Sequence, residues 1–158
     1  MRRRGSTLRT VALAAVGLLV LVTFLARRSG IVPGGPPPFD PEDYADVPVV
    51  EAVQAAELEG DRAVVCGRVV HAVFAQDTGG RPTYLNLEQA YPDQPFDVVI
   101  WGRDRDRFHP PPEVAYRDQR ICVAGQVTTH RGTPRIEVVT PEQIRSGSEA
   151  GPGSRWDP

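Results

Sequence analysis

RAVVCGRVVHAVFA, residues Arg62–Ala75, is rich in β-branched side chains and reads as one long strand with Gly67 inside it. A glycine within a strand marks a bulge or a sharp bend. The arrangement returns downstream. VCGRV (Val65–Val69) and VAGQV (Val123–Val127) each set a glycine between valines in mid-strand. Strands that coil tightly around a small closed barrel need that relief.

Working outward, TYLNLE (Thr83–Glu88) and FDVVIW (Phe96–Trp101) read as two further strands, joined by QAYPDQP. Their alternation places Leu85, Leu87, Val98 and Ile100 in the core. QRICVAGQVTTHRG and TPRIEVVT form a last hairpin with HRGT at its tip. Between the two pairs lies RDRDRFHPPPEVAYRD, whose prolines leave room only for a short helical turn around Arg103–Phe108. Upstream, VVEAVQAAELEG (Val49–Gly60) reads as a helix capped at Gly60, with Val50, Val53 and Leu58 on one side. The expected fold is all-β: a five-stranded OB-fold barrel with a short N-terminal helix and its longest insertion after the third strand. A small open β-sandwich is the alternative.

The N-terminal part has a different character. Residues 1–28 carry six arginines and no acid, against a net charge of −2 for the whole chain. Thr10–Ala26 is an uncharged apolar run, whose reach of roughly 26 Å at ~1.5 Å per residue is slightly less than the ~30 Å hydrocarbon core. Arg9 and Arg27 can snorkel across the shortfall. Arg2, Arg3, Arg4 and Arg9 precede the run and only Arg27 and Arg28 follow it, which favours a cytoplasmic N-terminus and an extracytoplasmic remainder. The alternative is a secreted protein after signal cleavage, with Thr23 and Ala26 before the cut. The Pro/Gly-rich, acidic stretch SGIVPGGPPPFDPEDYADVP (Ser29–Pro48) reads as an extended spacer. The expected organisation is a basic N-terminus (1–9), a transmembrane helix (10–26), a linker (27–48), the barrel domain (49–145) and a flexible tail (146–158).

Several of these segments resemble a family of small bacterial OB-fold domains of the tRNA-anticodon-like, nucleic-acid-binding type. The resemblance spans about Val49 to Ile144 and rests on VVCGRVV, PTYLNLEQAYPDQPFDVVIWGRD, ICVAGQV and HRGTPRIEVVTPEQI. In that family a Leu-Asn-Leu strand precedes a Tyr-Pro-x-Gln-x-Phe connection and a VVIW strand. A Gly-x-Pro-x-Ile strand and a Pro-x-Gln-Ile end follow. The resemblance implies the barrel, a signal or anchor ahead of it, and single-stranded nucleic acid as the ligand class.

Cys66 and Cys122 are the only cysteines, and each lies one residue out of step with the valine–glycine–valine series, so they share one strand parity. In an OB barrel the first and fourth strands are antiparallel neighbours. In an oxidising compartment these two thiols favour a disulfide; two separate buried thiols are the alternative. The candidate ligand-binding residues are Tyr84, Asn86 and Trp101 on the second and third strands, with Arg131 and Arg135 near the last hairpin. Charge disfavours a nucleic-acid partner: Asp61–Arg145 holds 11 arginines and 11 acids, whereas phosphate contacts supply most non-specific affinity. His71, His109 and His130 have no ligand spacing, so no metal site is expected. No cofactor is expected, nor catalysis, since no nucleophile is paired with a base. The haem chaperone of cytochrome c maturation shares the anchor-plus-barrel plan but places a tyrosine four residues after its histidine. Here Pro134 stands four residues after His130, which disfavours a haem or metal chaperone-like reading. The functional expectation is a non-catalytic, membrane-anchored, extracytoplasmic module that recognises an envelope protein or glycan, with single-stranded nucleic acid as the alternative.

Overall fold

The computed structural model describes residues 39–147. The expected transmembrane helix, the spacer up to residue 38 and the tail from residue 148 lie outside the described residues. Among the described residues no helix is long and apolar enough to cross a membrane.

Seven strands run β1 (Val49–Glu51), β2 (Arg62–Phe74), β3 (Thr83–Leu87), β4 (Phe96–Ile100), β5 (Arg120–His130), β6 (Thr133–Glu137) and β7 (Ile144–Ser146). Five of them close a barrel in the order β2-β3-β4-β6-β5, with β5 returning to β2. The β4–β6 pair is parallel and the other four barrel pairs are antiparallel. That ring is the OB-type arrangement expected from the five-strand plan. β1 and β7 are short additions, pairing with β2 and β5 respectively.

β2 and β5 are long because each serves both halves of the barrel. Arg62–Arg68 pairs with β5 and Val69–Phe74 with β3; on β5, Arg120–Gln126 pairs with β2 and Val127–His130 with β6. Gly67 and Gly125 sit where those duties change hands. A Cβ on Gly67 would lie 3.2 Å from both Ala52 and Leu87, and one on Gly125 would lie 2.3 Å from Ile136. The repeated glycine therefore serves close approach.

Leu85, Leu87, Phe96, Val98, Ile100, Val123, Val127 and Ile136 are fully buried. Each such side chain contributes about 1.5–3 kcal/mol relative to exposure. Leu85, Leu87, Val98 and Ile100 occupy the core positions that their alternation predicts.

The expected helix over Val49–Gly60 is corrected at both levels. Its first three residues form β1, and Ala52–Leu58 is a 3-10 helix. A three-residue period brings Ala52, Ala55 and Leu58 onto one side. The two alanines are buried while Val53 is exposed. Ala52 lies 3.2 Å from where a Cβ on Gly67 would stand, so two small residues face each other there. Gly60 does follow the helix with a left-handed φ of 91°, as a C-terminal cap requires.

The last ten residues of the expected spacer also behave differently. Phe39–Pro48 packs on the barrel instead of standing free. A 3-10 turn at Pro41–Tyr44 starts where the Asp40 side chain accepts from the Glu42 amide. Phe39 stacks on Tyr44 at 5.2 Å, and Arg62 pairs with Asp43 at 3.0 Å. Phe39, Tyr44, Val47 and Val49 cover a small apolar cluster of Val64, Cys66, Cys122 and Ala124 on the outer side of β2–β5. Apolar side chains spaced among the acids and prolines supply this contact, which composition alone conceals.

Within that cluster Cys66 and Cys122 are direct cross-strand partners, 4.0 Å apart at Cα, and form a disulfide. The shared parity is thus realised as a covalent bond. The Arg-Asp alternation at Gly102–Phe108 is partly folded in. Asp104 is buried beside Arg103, and Arg105 pairs with Glu113 and lies over the Phe74 ring.

A candidate binding groove on the strand face

Alternation along β2, β3 and β4 turns one set of side chains outward, away from the core. The set is built around the hairpin register Asn86↔Asp97 and the pair His71↔Asn86. His71 reaches this face through an irregularity. From Val65, Gly67 and Val69, strict alternation points residue 71 inward. A register shift between Val69 and His71 leaves Val70 unpaired, and His71 then faces outward.

These side chains form a hydrogen-bonded row. His71 Nδ1 donates to Asn86 Oδ1 at 2.9 Å, because an amide oxygen only accepts. Asn86 Nδ2 donates to Asp97 Oδ1 at 2.6 Å, and Gln94 Nε2 donates to Asp97 Oδ2 at 3.2 Å. The Asp97 carboxylate is held from both sides. Gln94 is 8% exposed, yet its Oε1 has no hydrogen-bond partner among the described residues. A buried acceptor left without a donor carries a penalty of about 1–3 kcal/mol.

The row forms the floor of an open groove of about 500 Å³, flanked by Tyr84, Tyr91, His130 and Arg131. Tyr91 is 76% exposed, at the head of the Tyr91–Pro92 connection, whose peptide is cis. Arg131 and Gly132 form the tight tip of the β5–β6 hairpin, both with positive φ. The groove thus lies on the β2–β4 sheet face and is rimmed by the β5–β6 loop. OB folds hold extended ligands on this face.

Burial pushes the Asp97 carboxyl above its ordinary value, while hydrogen bonds from Asn86 and Gln94 and the nearby Arg135 and His130 pull it down. A carboxyl with a higher pKa in the folded state stabilises the fold in its protonated form. That contribution is complete below the unfolded value and is lost as pH rises through the folded one. The melting temperature of the native chain, relative to Asp97→Asn, is therefore expected to climb as pH falls from neutrality into the acid range. A gap that narrows on acidification would show that the carboxylate is stabilised by its surroundings.

The five candidate ligand-binding residues divide between two places. Tyr84, Asn86 and Arg131 line the groove. Trp101 and Arg135 are both tied to Glu137, through Trp101 Nε1 to Oε2 at 2.8 Å and Arg135 Nη2 to Oε1 at 2.7 Å. Trp101 instead walls a smaller depression with Gly80, Arg81, Gly102 and Arg103. Asn86 is buried at 3% exposure, so it orients its neighbours more than it meets solvent.

Sequence reasoning placed Tyr91, Gln94 and Asp97 in no site and weighed His71 and His130 only as metal ligands. One signal was available: Asp97 interrupts an apolar strand directly across the hairpin from Asn86. The histidines gave none, because their meeting depends on the shift at Val70. Among the described residues no group of three or more His, Cys, Asp or Glu side chains is placed to hold a metal ion.

No family model matches the chain, and no curated protein matches it. One solved structure that it resembles is the "Crystal structure of a putative aspartyl-tRNA synthetase from Leishmania major Friedlin", at 13% identity and a TM-score of 0.39. The alignment covers 78% of this chain and 25% of that one, so the chain spans about a quarter of the other's length. A likeness that slight assigns neither ligand nor activity.

Proposed function

We propose that the chain is a membrane-anchored, extracytoplasmic binding module that holds an envelope glycan or protein segment in the β2–β4 groove and supplies recognition rather than catalysis. The observation that carries this reading is the groove itself. It pairs aromatic flanks with a pre-ordered hydrogen-bonding floor, the combination by which small concave sites fix a ligand's orientation. The buried Cys66–Cys122 disulfide suits an oxidising compartment. The arginine-flanked apolar run at Thr10–Ala26 supports an anchor. Single-stranded nucleic acid is the second reading, favoured by two tyrosines and Arg131 around one groove. A carboxylate at the floor and the balanced charge of Asp61–Arg145 weigh against it.

A photo-crosslinking residue at Tyr91, compared with one at Val53, tests the reading in the intact envelope. Both positions are well exposed, at 76% and 66%, and only Tyr91 lines the groove. Adducts to envelope material at 91 and not at 53 are expected. Equal labelling at both, or none at 91, would remove the groove as the binding site.

A further inference from the structure

The hydrogen-bond polarity of the groove floor selects among ligand chemistries. The amide groups of Asn86 and Gln94 both donate to Asp97, and the His71 donor is taken by Asn86. The floor keeps the second N–H of each amide, and it also offers acceptors: Gln94 Oε1, buried and without a partner among the described residues, and the remaining lone pairs of Asp97. A ligand that satisfies this floor must bring hydrogen-bond donors. Phosphate and carboxylate groups bring only acceptors, and bring them with negative charge towards Asp97. A cationic ligand brings donors but meets the Arg131 guanidinium at the rim. Hydroxyl groups donate without charge.

We propose, building on the binding-module reading above, that the groove takes a neutral, hydroxyl-rich oligosaccharide. Its hydroxyls donate to Gln94 Oε1 and to the Asp97 carboxylate, and an apolar ring face lies against Tyr84 or Tyr91. Each tyrosine offers a large apolar body and a polar tip, which matches a sugar ring with one CH face and a hydroxyl edge. The groove, about 500 Å³, is within the size range of small-ligand sites. A neutral ligand also agrees with the balance of arginines and acids over Asp61–Arg145. Electrostatic attraction to a polyanion has little to work with there, whereas burial of a neutral sugar needs none.

The test uses the full chain, isotope-labelled and held in a polyoxyethylene detergent that carries no sugar headgroup. Cellotriose, maltotriose and the trimer of N-acetylglucosamine are titrated separately, and amide shifts are followed. At least one is expected to give saturable shifts at Tyr84, Asn86, Tyr91, Gln94 and Asp97. Its affinity should be the same at about 50 mM and about 500 mM salt, because no counterions are released. Gln94→Met keeps the side-chain length and removes the acceptor together with the Nε2 bond to Asp97, and is expected to weaken binding about tenfold or more, equivalent to about 1.4 kcal/mol. Tyr91→Ala, at an exposed position that cannot upset the core, should weaken it by a similar factor. Val53→Ala should leave it unchanged.

No saturable shift with any of the three sugars overturns the proposal, as does equal affinity in the Gln94→Met and Tyr91→Ala variants. If an oligo-dT strand moves the same groove residues and releases with salt, the sugar assignment fails and the groove reading survives. If neither sugar nor oligonucleotide moves those residues and crosslinking at Tyr91 is also empty, both fail together.

Discussion

Replacing Cys66 and Cys122 together by alanine is expected to lower the stability of the barrel by about 4 kcal/mol. The bond joins residues separated by 56 positions, and the chain-entropy account gives a loop of that length a contribution of this size. That is a large share of the ~5–15 kcal/mol available to an ordinary domain. Alanine is the right replacement because Val64, Ala124, Phe39 and Tyr44 enclose the site. A serine hydroxyl there would add an unsatisfied polar group. The backbone ladder between β2 and β5 runs through seven paired residues from Arg62 to Arg68, so the register should survive the loss of the bond. In urea titration the variant should unfold at a lower midpoint, with a larger slope, because an uncrosslinked unfolded chain exposes more surface. An unchanged midpoint would mean that the cross-link restricts an unfolded state that is already compact.

Gly125→Ala is expected to cost about 3 kcal/mol, a severe effect for one added methyl. The new Cβ would sit 2.3 Å from Ile136 Cγ2, far inside contact distance. Ile136 is fully buried and paired with Val98 on β4 and Val127 on β5. Gly79→Ala is the control: nothing lies within 4 Å of its would-be Cβ, and its effect should stay within about 0.5 kcal/mol. The cause can be isolated with a double-mutant cycle. Ile136→Ala alone should cost about 2–5 kcal/mol for lost burial. Combined with Gly125→Ala it should cost less than the sum by at least about 1 kcal/mol, since the clashing methyl is gone. Strict additivity would show that the glycine serves backbone bending and not close packing. Thermal or urea unfolding of the four proteins measures all of these terms.

These two sites mark where sequence patterning carries far. The valine–glycine–valine repeat identified both glycines before any contact was known, and strand parity placed both cysteines on one face. Alternation in TYLNLE and FDVVIW put Leu85, Leu87, Val98 and Ile100 in the core. A strand's two faces differ by a period of two residues, and a period is a property of the chain itself.

Other features depend on what a residue meets across space. A helical reading put Val53 on one side with Val50 and Leu58. The 3-10 period and the close approach to Gly67 bury Ala52 and Ala55 instead. Phe39, Tyr44 and Val47 lie in a segment whose prolines and acids read as a spacer, and their partners are residues of β2 and β5.

The amino-acid sequence by itself determined the strand count of the barrel, the core face of β3 and β4, the glycine positions and the pairing parity of the cysteines. Each of these is written in local periodicity and residue type. Only the tertiary structure decided the groove. One unpaired residue, Val70, reverses the facing of His71, and hairpin register sets Asn86 against Asp97. Gln94 then arrives from a connecting loop with its Oε1 unpaired. A register shift of one residue turns a side chain from core to surface, and no local pattern reports where a chain will make that shift.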